Sequence, residues 1–198
     1  MNLPNKLTVS RFVLTALFLW ALFSPVRFHN TLALVLFSLA GFTDFLDGRI
    51  ARSRGLITNF GILMDPLADK ILICSAFVAF VESTHLNPNA PVKVAAWMVI
   101  VIVARELTIT GMRLLAASKK IVIAADNFGK IKTVFQIVTI IALLITDATN
   151  EWGPWLQNIF QPWVAGFAQL ALWVTVVLTA VSGLIYLWRN RALYLSDT

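Results

Sequence analysis

Four aspartates in the first third of the chain are spaced in a way that suits metal binding. Asp44 and Asp47 are three residues apart, and Asp65 and Asp69 are four apart, so each pair shares one face of a helix. The surrounding segments are apolar enough to be membrane spans, where a charged side chain costs at least about 2.5 kcal/mol and usually marks an ion or substrate site. Carboxylate oxygens suit hard cations such as Mg²⁺, and clustered acids repel one another without a cation. The four aspartates therefore predict a pocket for divalent cations.

A second set of charges, further along the chain, is basic. Arg105 and Arg113 lie about 80° apart around a predicted helix, and together with Lys130 or Lys132 they would form a cationic pocket for a phosphate monoester. Judged by charge alone, each of the two lysines could equally be an ordinary solvated residue or a part of this pocket. A buried arginine needs a partner, and Glu106, although adjacent to Arg105, points about 100° away on an ideal helix. This set predicts the binding of a phosphorylated substrate.

Membrane helices must position both sets of residues. The chain has 198 residues, of which 59% are hydrophobic and 13% are charged, and its mean hydropathy is +0.80. This composition is typical of a polytopic membrane protein. We predict one all-α domain over residues 1–198, with an interfacial segment at residues 1–9 and a tryptophan-bearing loop at 147–162. Six transmembrane helices are predicted at about 11–26, 31–52, 61–81, 92–117, 132–145 and 163–188.

Basic residues fall mostly on one side of these predicted spans, and only Arg27 and Lys93 fall on the other. By the positive-inside rule both termini and the intramembrane charges belong to the cytosolic side of the cell (inner) membrane. This placement accounts for the net charge of +6 without a nucleic-acid partner. His29 and His85 fall in loops of the outer side, so the general base must be a carboxylate. Metal-assisted phosphoryl-type transfer with two cations is the chemistry these residues predict.

The aspartates belong to a longer pattern, D-x2-D-G-x2-A-R-x8-G-x3-D-x3-D, which resembles the signature of the CDP-alcohol phosphatidyltransferases. All eight fixed positions are present: Asp44, Asp47, Gly48, Ala51, Arg52, Gly61, Asp65 and Asp69. Enzymes of this family join an alcohol to a phosphatidyl group and release CMP. The resemblance implies metal ligands at Asp44, Asp47 and Asp65, and a base at Asp69 that also touches the second cation. It implies contacts to CDP-diacylglycerol from Asn5, Thr8, Gly48, Ala51, Arg52 and Gly61.

Three further segments resemble the branch of this family that uses glycerol phosphate: Pro4–Thr8 followed by Arg11, Arg105-Glu106 followed by Arg113, and Gly129–Thr133. This resemblance implies transfer of the phosphatidyl group from CDP-diacylglycerol to sn-glycerol 3-phosphate, with phosphatidylglycerophosphate and CMP as products. It also implies Mg²⁺ or Mn²⁺ as cofactor and a homodimer. The residues expected to bind the acceptor are Arg105, Arg113, Lys130 and Lys132.

Two alternative functions remain open at this stage. The first is the same chemistry with another acceptor, such as phosphatidylglycerol, inositol phosphate or serine. The clustered basic residues favour a phosphorylated acceptor over serine or a neutral lipid. The second is a cation transporter that uses the four carboxylates. A transporter requires a polar path across the whole bilayer, whereas the outer halves of the predicted spans are apolar.

Overall fold

The chain folds into α-helices. The computed structural model describes residues 3–54, 59–119 and 127–191, except for the side chains at positions 3–4, 45, 47–54, 59–60, 62–63, 118, 127–128 and 130. The helices in these ranges are α1 (Leu3–Phe23), α2 (His29–Arg54), α3 (Asn59–Leu86), α4 (Ala96–Ser118), α5 (Asn127–Ala148), a 3₁₀ helix (Thr149–Glu151), α6 (Pro154–Phe160) and α7 (Val164–Arg189). Because these ranges contain no strand, the all-α prediction is confirmed for them.

The apolar core occupies the half of the bundle in which α1, α3 and α5 end. Helix α1 packs against α2 and α3, α5 packs against α2 and α7, and α4 packs against α3 and α7. Phe18 and Phe77 are completely buried there, and the rings of Phe18 and Phe37 lie 5.6 Å apart between centroids. Leu172 of α7 belongs to the same core. Burying these side chains fixes the helices to one another and leaves the other half of the bundle for the charged residues.

The structure differs from the predicted elements in two places. Residues 3–9, predicted as part of an interfacial segment, belong to α1, which runs without a break from Leu3 to Phe23. Its first turns point polar side chains such as Thr8 into the protein, where that side chain is buried. The predicted tryptophan-bearing loop contains the 3₁₀ helix and α6. Pro154 starts α6 because a proline at the first helical position gives up an N–H that would have no partner in any case.

Three of these helices are long and apolar enough to cross a membrane, judged over the described residues alone. The segments are Asn5–Phe23, Ile131–Glu151 and Val164–Arg189. Helices α2, α3 and α4 have 26, 28 and 23 residues, and they carry the charged groups of the cytosolic half predicted above. The chain is therefore a helical membrane protein with several candidate spans.

At the end of the bundle opposite those charged groups, Glu151 closes the start of α2. Its carboxylate accepts hydrogen bonds from the backbone N–H groups of Asn30 and Thr31, at 2.8 and 2.9 Å, and from the Thr31 hydroxyl at 2.7 Å. The Trp152 indole also donates to that hydroxyl, at 3.0 Å. Since the first N–H groups of a helix have no partner within the helix, Glu151 acts as the cap of α2.

Replacing Glu151 with alanine should lower the stability of the protein by about 1 kcal/mol, the usual cost of a lost cap. For a chain of this size that corresponds to about 2–4 °C in the midpoint of thermal unfolding, measured in detergent. The exposed Glu82→Ala variant is the matched control, since Glu82 is an acidic residue near the same end of the bundle. If both variants shifted the midpoint equally, the capping role would be wrong.

Candidate active site

Helix α1 joins the two helices that carry the acids. Thr8 and Arg11 are three residues apart in α1 and lie on the same face. The completely buried Arg11 places its Nη1 atom 2.7 Å from the Asp44 Oδ1 atom of α2. The Thr8 hydroxyl donates a hydrogen bond to the Asp65 carboxylate of α3. One face of α1 therefore contacts one acid from each predicted pair.

Asp69 lies where the acids meet the basic residues. It lines a cavity of about 460 Å³ formed by α3, α4, α5 and α7. Its carboxylate is repelled by Asp44 and attracted by Arg11, Lys132 and Lys70. Asp69 therefore interacts electrostatically with Asp44 and Arg11 on one side and with the two lysines that line the cavity on the other.

The described lining of this cavity carries more positive than negative charge. Its basic side chains come from three helices: Lys70 on α3, Arg105 and Arg113 on α4, and Lys132 on α5. Its acidic side chains are Asp69 and Glu106. An excess of cationic hydrogen-bond donors in a cavity of this kind suits a doubly charged phosphate monoester.

A buried ion pair connects α4 to α5 beside the cavity. The Lys132 ammonium group contacts the Glu106 carboxylate and donates a hydrogen bond of 3.0 Å to Gln136 Oε1. Arg105 Nη1 lies 3.5 Å from Glu106 Oε1, so the prediction that Glu106 points away from Arg105 is wrong. Angles around an ideal helix describe where side chains start, and these two long side chains converge at their ends.

Beside the cavity, helix α3 lacks one of its backbone hydrogen bonds and is hydrogen-bonded to α4. Pro66 lies inside α3 and lines the cavity, and because proline has no backbone N–H, one helical hydrogen bond is missing there. One turn later Lys70 donates a hydrogen bond to the Thr110 hydroxyl of α4. That hydroxyl donates in turn to the Glu106 carbonyl oxygen at 2.8 Å. These bonds fix α3 to α4 where the two helices form the wall of the cavity.

The structure brings only part of the predicted site together. The predicted residues that line the cavity are Asp69, Arg105, Arg113 and Lys132. Asn5, Thr8 and Gly61 are not among its described lining residues; Asn5 is partly exposed, and Gly61 is buried in α3. The side chains of five predicted site residues lie outside the described residues: Asp47, Gly48, Ala51, Arg52 and Lys130.

Several polar residues at or beside the cavity were given no role by the sequence analysis, among them Lys70, Gln136 and Tyr186. Gln136 is completely buried one turn after Lys132 in α5, and its spacing of four residues from a charged group was an available signal. Tyr186 of α7 lines the cavity, and its buried hydroxyl has no hydrogen-bond partner within the described part of the chain. A single tyrosine near the end of an apolar helix is equally typical of an interfacial anchor, so the sequence offered no distinct signal.

Asp44, Asp65 and Asp69, the motif aspartates whose side chains the structure describes, have the donor atoms of a site for hard cations. Among the side chains that the structure describes, no three acidic, histidine or cysteine groups come close enough to hold a metal ion. Asp44 and Asp65 each direct one oxygen to α1, as given above. Because these groups and Asp69 offer only carboxylate oxygens, their donor type fits Mg²⁺ or Mn²⁺.

Comparison with known proteins agrees with the resemblance seen in the motif. The family profile of the CDP-alcohol phosphatidyltransferases matches residues 1–181. A protein of Bacillus subtilis (strain 168) named CDP-diacylglycerol–glycerol-3-phosphate 3-phosphatidyltransferase is 38% identical, over 96% of this chain and 95% of its own length. Proteins of the same name from Escherichia coli (strain K12) and Rickettsia felis are 33% and 30% identical, over 96% and 93% of both chains. The chain belongs to the CDP-alcohol phosphatidyltransferase family.

Proposed function

We propose that the chain is a phosphatidylglycerophosphate synthase, which transfers the phosphatidyl group of CDP-diacylglycerol to sn-glycerol 3-phosphate and releases CMP. The observation that carries the proposal is the cavity in which Asp69 lies beside Arg105, Arg113 and Lys132. An acid next to a cationic pocket suits an acceptor that has both a hydroxyl group and a phosphate monoester. The relatives named above bear this activity in their names.

The acids of α2 and α3 would hold two Mg²⁺ or Mn²⁺ ions. The proposed ligands are Asp44, Asp47, Asp65 and Asp69. When bound, such ions neutralise the diphosphate of the donor and the charge that develops on the leaving CMP. Arg11 and Thr8 contact Asp44 and Asp65 from α1, so α1 would help to orient two of these carboxylates.

CDP-diacylglycerol would bind along α1 and along the parts of α2 and α3 that carry the family signature. The residues proposed to contact it are Asn5, Thr8, Gly48, Ala51, Arg52 and Gly61. Glycine and alanine keep a helix surface low, so that a nucleotide can approach the backbone, and an arginine suits the diphosphate. The buried position of Gly61 in α3 is consistent with a role in close packing at that surface.

The acceptor phosphate would bind Arg105, Arg113, Lys130 and Lys132. Glu106 and Gln136 hold the Lys132 ammonium group between them, so that this lysine does not need to be ordered when the substrate arrives. With its phosphate so placed, the acceptor presents a hydroxyl to Asp69. A carboxylate oxygen of Asp69 takes the hydroxyl proton while the alkoxide oxygen attacks the phosphatidyl phosphorus, and the bond to CMP breaks.

We further propose that the chain is a multi-pass protein of the cell (inner) membrane, with six spans and its active site on the cytosolic side. The excess of basic residues near the charged end of the bundle supports this orientation. The single domain over residues 1–198 and the homodimer are part of the same proposal. They rest on the family resemblance.

Acceptor specificity tests the proposed function. Purified protein with CDP-diacylglycerol and Mg²⁺ is offered sn-glycerol 3-phosphate, inositol phosphate, serine or phosphatidylglycerol, and CMP release is followed. We expect the fastest CMP release with sn-glycerol 3-phosphate and slower release with inositol phosphate, whose ring is bulkier. Serine and phosphatidylglycerol should give at most traces, because neither carries the phosphate monoester that the basic residues would bind. Faster release with another acceptor would replace the proposed substrate with that one.

Replacing Arg113 with alanine should raise the KM for glycerol phosphate by about 10-fold or more, the usual effect of losing one hydrogen bond to a charged group. The KM for CDP-diacylglycerol should change by less than about twofold. Arg27→Ala is the control, because Arg27 is an exposed arginine in the turn between α1 and α2. Equal increases in both KM values would mean that Arg113 supports the helix packing instead.

A further inference from the structure

Helix α7 places a glycine against the stem of the Arg105 side chain, which lines the cavity. Gly183 is buried in α7. A Cβ atom built on Gly183 would lie 2.9 Å from the Arg105 Cγ atom and 3.8 Å from its Cβ atom. Further along the same side chain, a Cβ atom on Gly129 of α5 would lie 3.8 Å from Arg105 Nη2. The Arg105 side chain thus passes close to two glycines, Gly183 near its Cγ atom and Gly129 near its guanidinium group.

The two glycines differ in how much space they leave for an added side chain. A separation of 2.9 Å between carbon atoms is well inside the normal contact distance of about 3.5–4.0 Å, whereas 3.8 Å is an ordinary contact. The Cγ atom is only two bonds from the backbone of α4, so it cannot move aside without a change of rotamer or a shift of the helix. A methyl group at Gly183 would therefore displace the Arg105 side chain or separate α4 from α7.

Helix α7 has little freedom to move away. The hydroxyl groups of Thr139 in α5 and Thr175 in α7 are hydrogen-bonded at 2.8 Å, and both residues are completely buried. Helix α5 in turn is connected to α4 through the contact of Lys132 with Glu106. Because α7 is fixed to α5, and α5 to α4, separating α4 from α7 would cost more free energy than displacing one side chain. A larger residue at position 183 should therefore displace the Arg105 side chain.

We propose that Gly183 is a positioning residue for the acceptor site: its missing side chain is what allows Arg105 to direct its guanidinium group into the cavity. This inference rests on the proposed function, in which Arg105 binds the phosphate of the acceptor. Gly183 touches no substrate itself. It acts only through the course of the arginine side chain.

The test is Gly183→Ala, with Gly166→Ala as the matched control. Gly166 lies in the same helix, is exposed, and has no atom within 4 Å of an added Cβ. We expect Gly183→Ala to raise the KM for glycerol phosphate by about 10-fold, as for a lost charge-assisted hydrogen bond, while the KM for CDP-diacylglycerol changes by less than about twofold. Gly166→Ala should match the wild type. An unchanged KM for glycerol phosphate, or an equal rise in both KM values, would overturn the proposal.

A double-variant cycle separates the positioning role from a general packing role. In the Arg105→Ala background the Cγ atom is gone and only the 3.8 Å contact remains, so adding Gly183→Ala should leave the kinetics unchanged. It should shift the midpoint of thermal unfolding only as Gly166→Ala does, which is the gain expected when alanine replaces glycine in a helix. Additive effects would show that Gly183 acts through something other than Arg105. If Gly183→Ala alone does not fold, Arg105→Ala must restore folding, and failure to do so would also contradict the proposal.

The two readouts also distinguish this proposal from the proposed function. Wild-type turnover with glycerol phosphate is measured first. Should it be absent, the proposed function fails, and the coupling between Gly183 and Arg105 in thermal unfolding still tests the contact. Should wild-type turnover be present while the coupling is absent, only the role of Gly183 is wrong.

Discussion

Replacing Asp69 with asparagine is expected to lower turnover by about 10²–10⁴-fold, the usual contribution of a positioned general base. Asparagine keeps the size of the side chain and one oxygen but cannot accept the proton of the acceptor hydroxyl. Because Asp69 lies at the cavity while Arg11 contacts Asp44, the binding of CDP-diacylglycerol should survive the change. Turnover is measured as CMP release, and donor binding is measured as the amount of CDP-diacylglycerol retained on the purified protein. The control is Glu82→Gln, because Glu82 is an exposed acidic residue.

The dependence of this variant on Mg²⁺ distinguishes a base from a metal ligand. If Asp69 mainly takes the proton, raising the Mg²⁺ concentration should restore little activity, since Asp44, Asp47 and Asp65 still provide most of the negative charge. Substantial recovery at high Mg²⁺ would make Asp69 chiefly a ligand. In that case the assignment of Asp69 as the general base would be wrong, while the assignment of the enzyme class would be unaffected.

Removing divalent cations should lower turnover by at least about 10³-fold, since the cations supply several kcal/mol of charge stabilisation to a transfer of this kind. Without them the aspartates would face the anionic diphosphate of CDP-diacylglycerol directly. The measurement is CMP release in excess chelator, followed by titration with Mg²⁺ or Mn²⁺. Appreciable release in chelator would contradict the metal assignment.

Asp65→Asn is the most informative variant for the ligand set. The asparagine oxygen can still accept the hydrogen bond from Thr8, so the link between α1 and α3 remains while one charge is removed. We expect the variant to need a higher Mg²⁺ concentration for half-maximal activity. The equivalent change at Asp44 is less clean, because it would leave the completely buried Arg11 with less compensating charge, which is costly in itself.

The sequence predicted well those features that depend on spacing within one helix. The distance of eight residues between Arg105 and Arg113 corresponds to neighbouring helix faces, whereas Asp65, four residues before Asp69, is not among the described lining residues of the cavity. Asp69 and both arginines do line one cavity in the structure. The all-α class followed from hydropathy in the same way, because long apolar runs have few alternatives in a membrane.

Contacts between helices were beyond the reach of the sequence. The ion pair of Arg11 with Asp44 and the contact of Lys132 with Glu106 depend on how each helix is rotated and on the conformation of long side chains. Gly183 shows the same limitation more strongly. Its importance lies in a distance to Arg105 in another helix, and a glycine within an apolar helix carries no charge or periodicity that would mark it.

The most direct test of the account follows the oxygen atom of the acceptor hydroxyl. Purified protein is given CDP-diacylglycerol and sn-glycerol 3-phosphate labelled with ¹⁸O in its hydroxyl groups, and the lipid product and CMP are analysed by mass spectrometry. If the hydroxyl oxygen attacks the phosphatidyl phosphorus after losing its proton to Asp69, the label appears in the new phosphodiester bridge, and one unlabelled CMP is released per lipid formed. Label that is missing from the bridge, or CMP release without labelled lipid, would contradict the account.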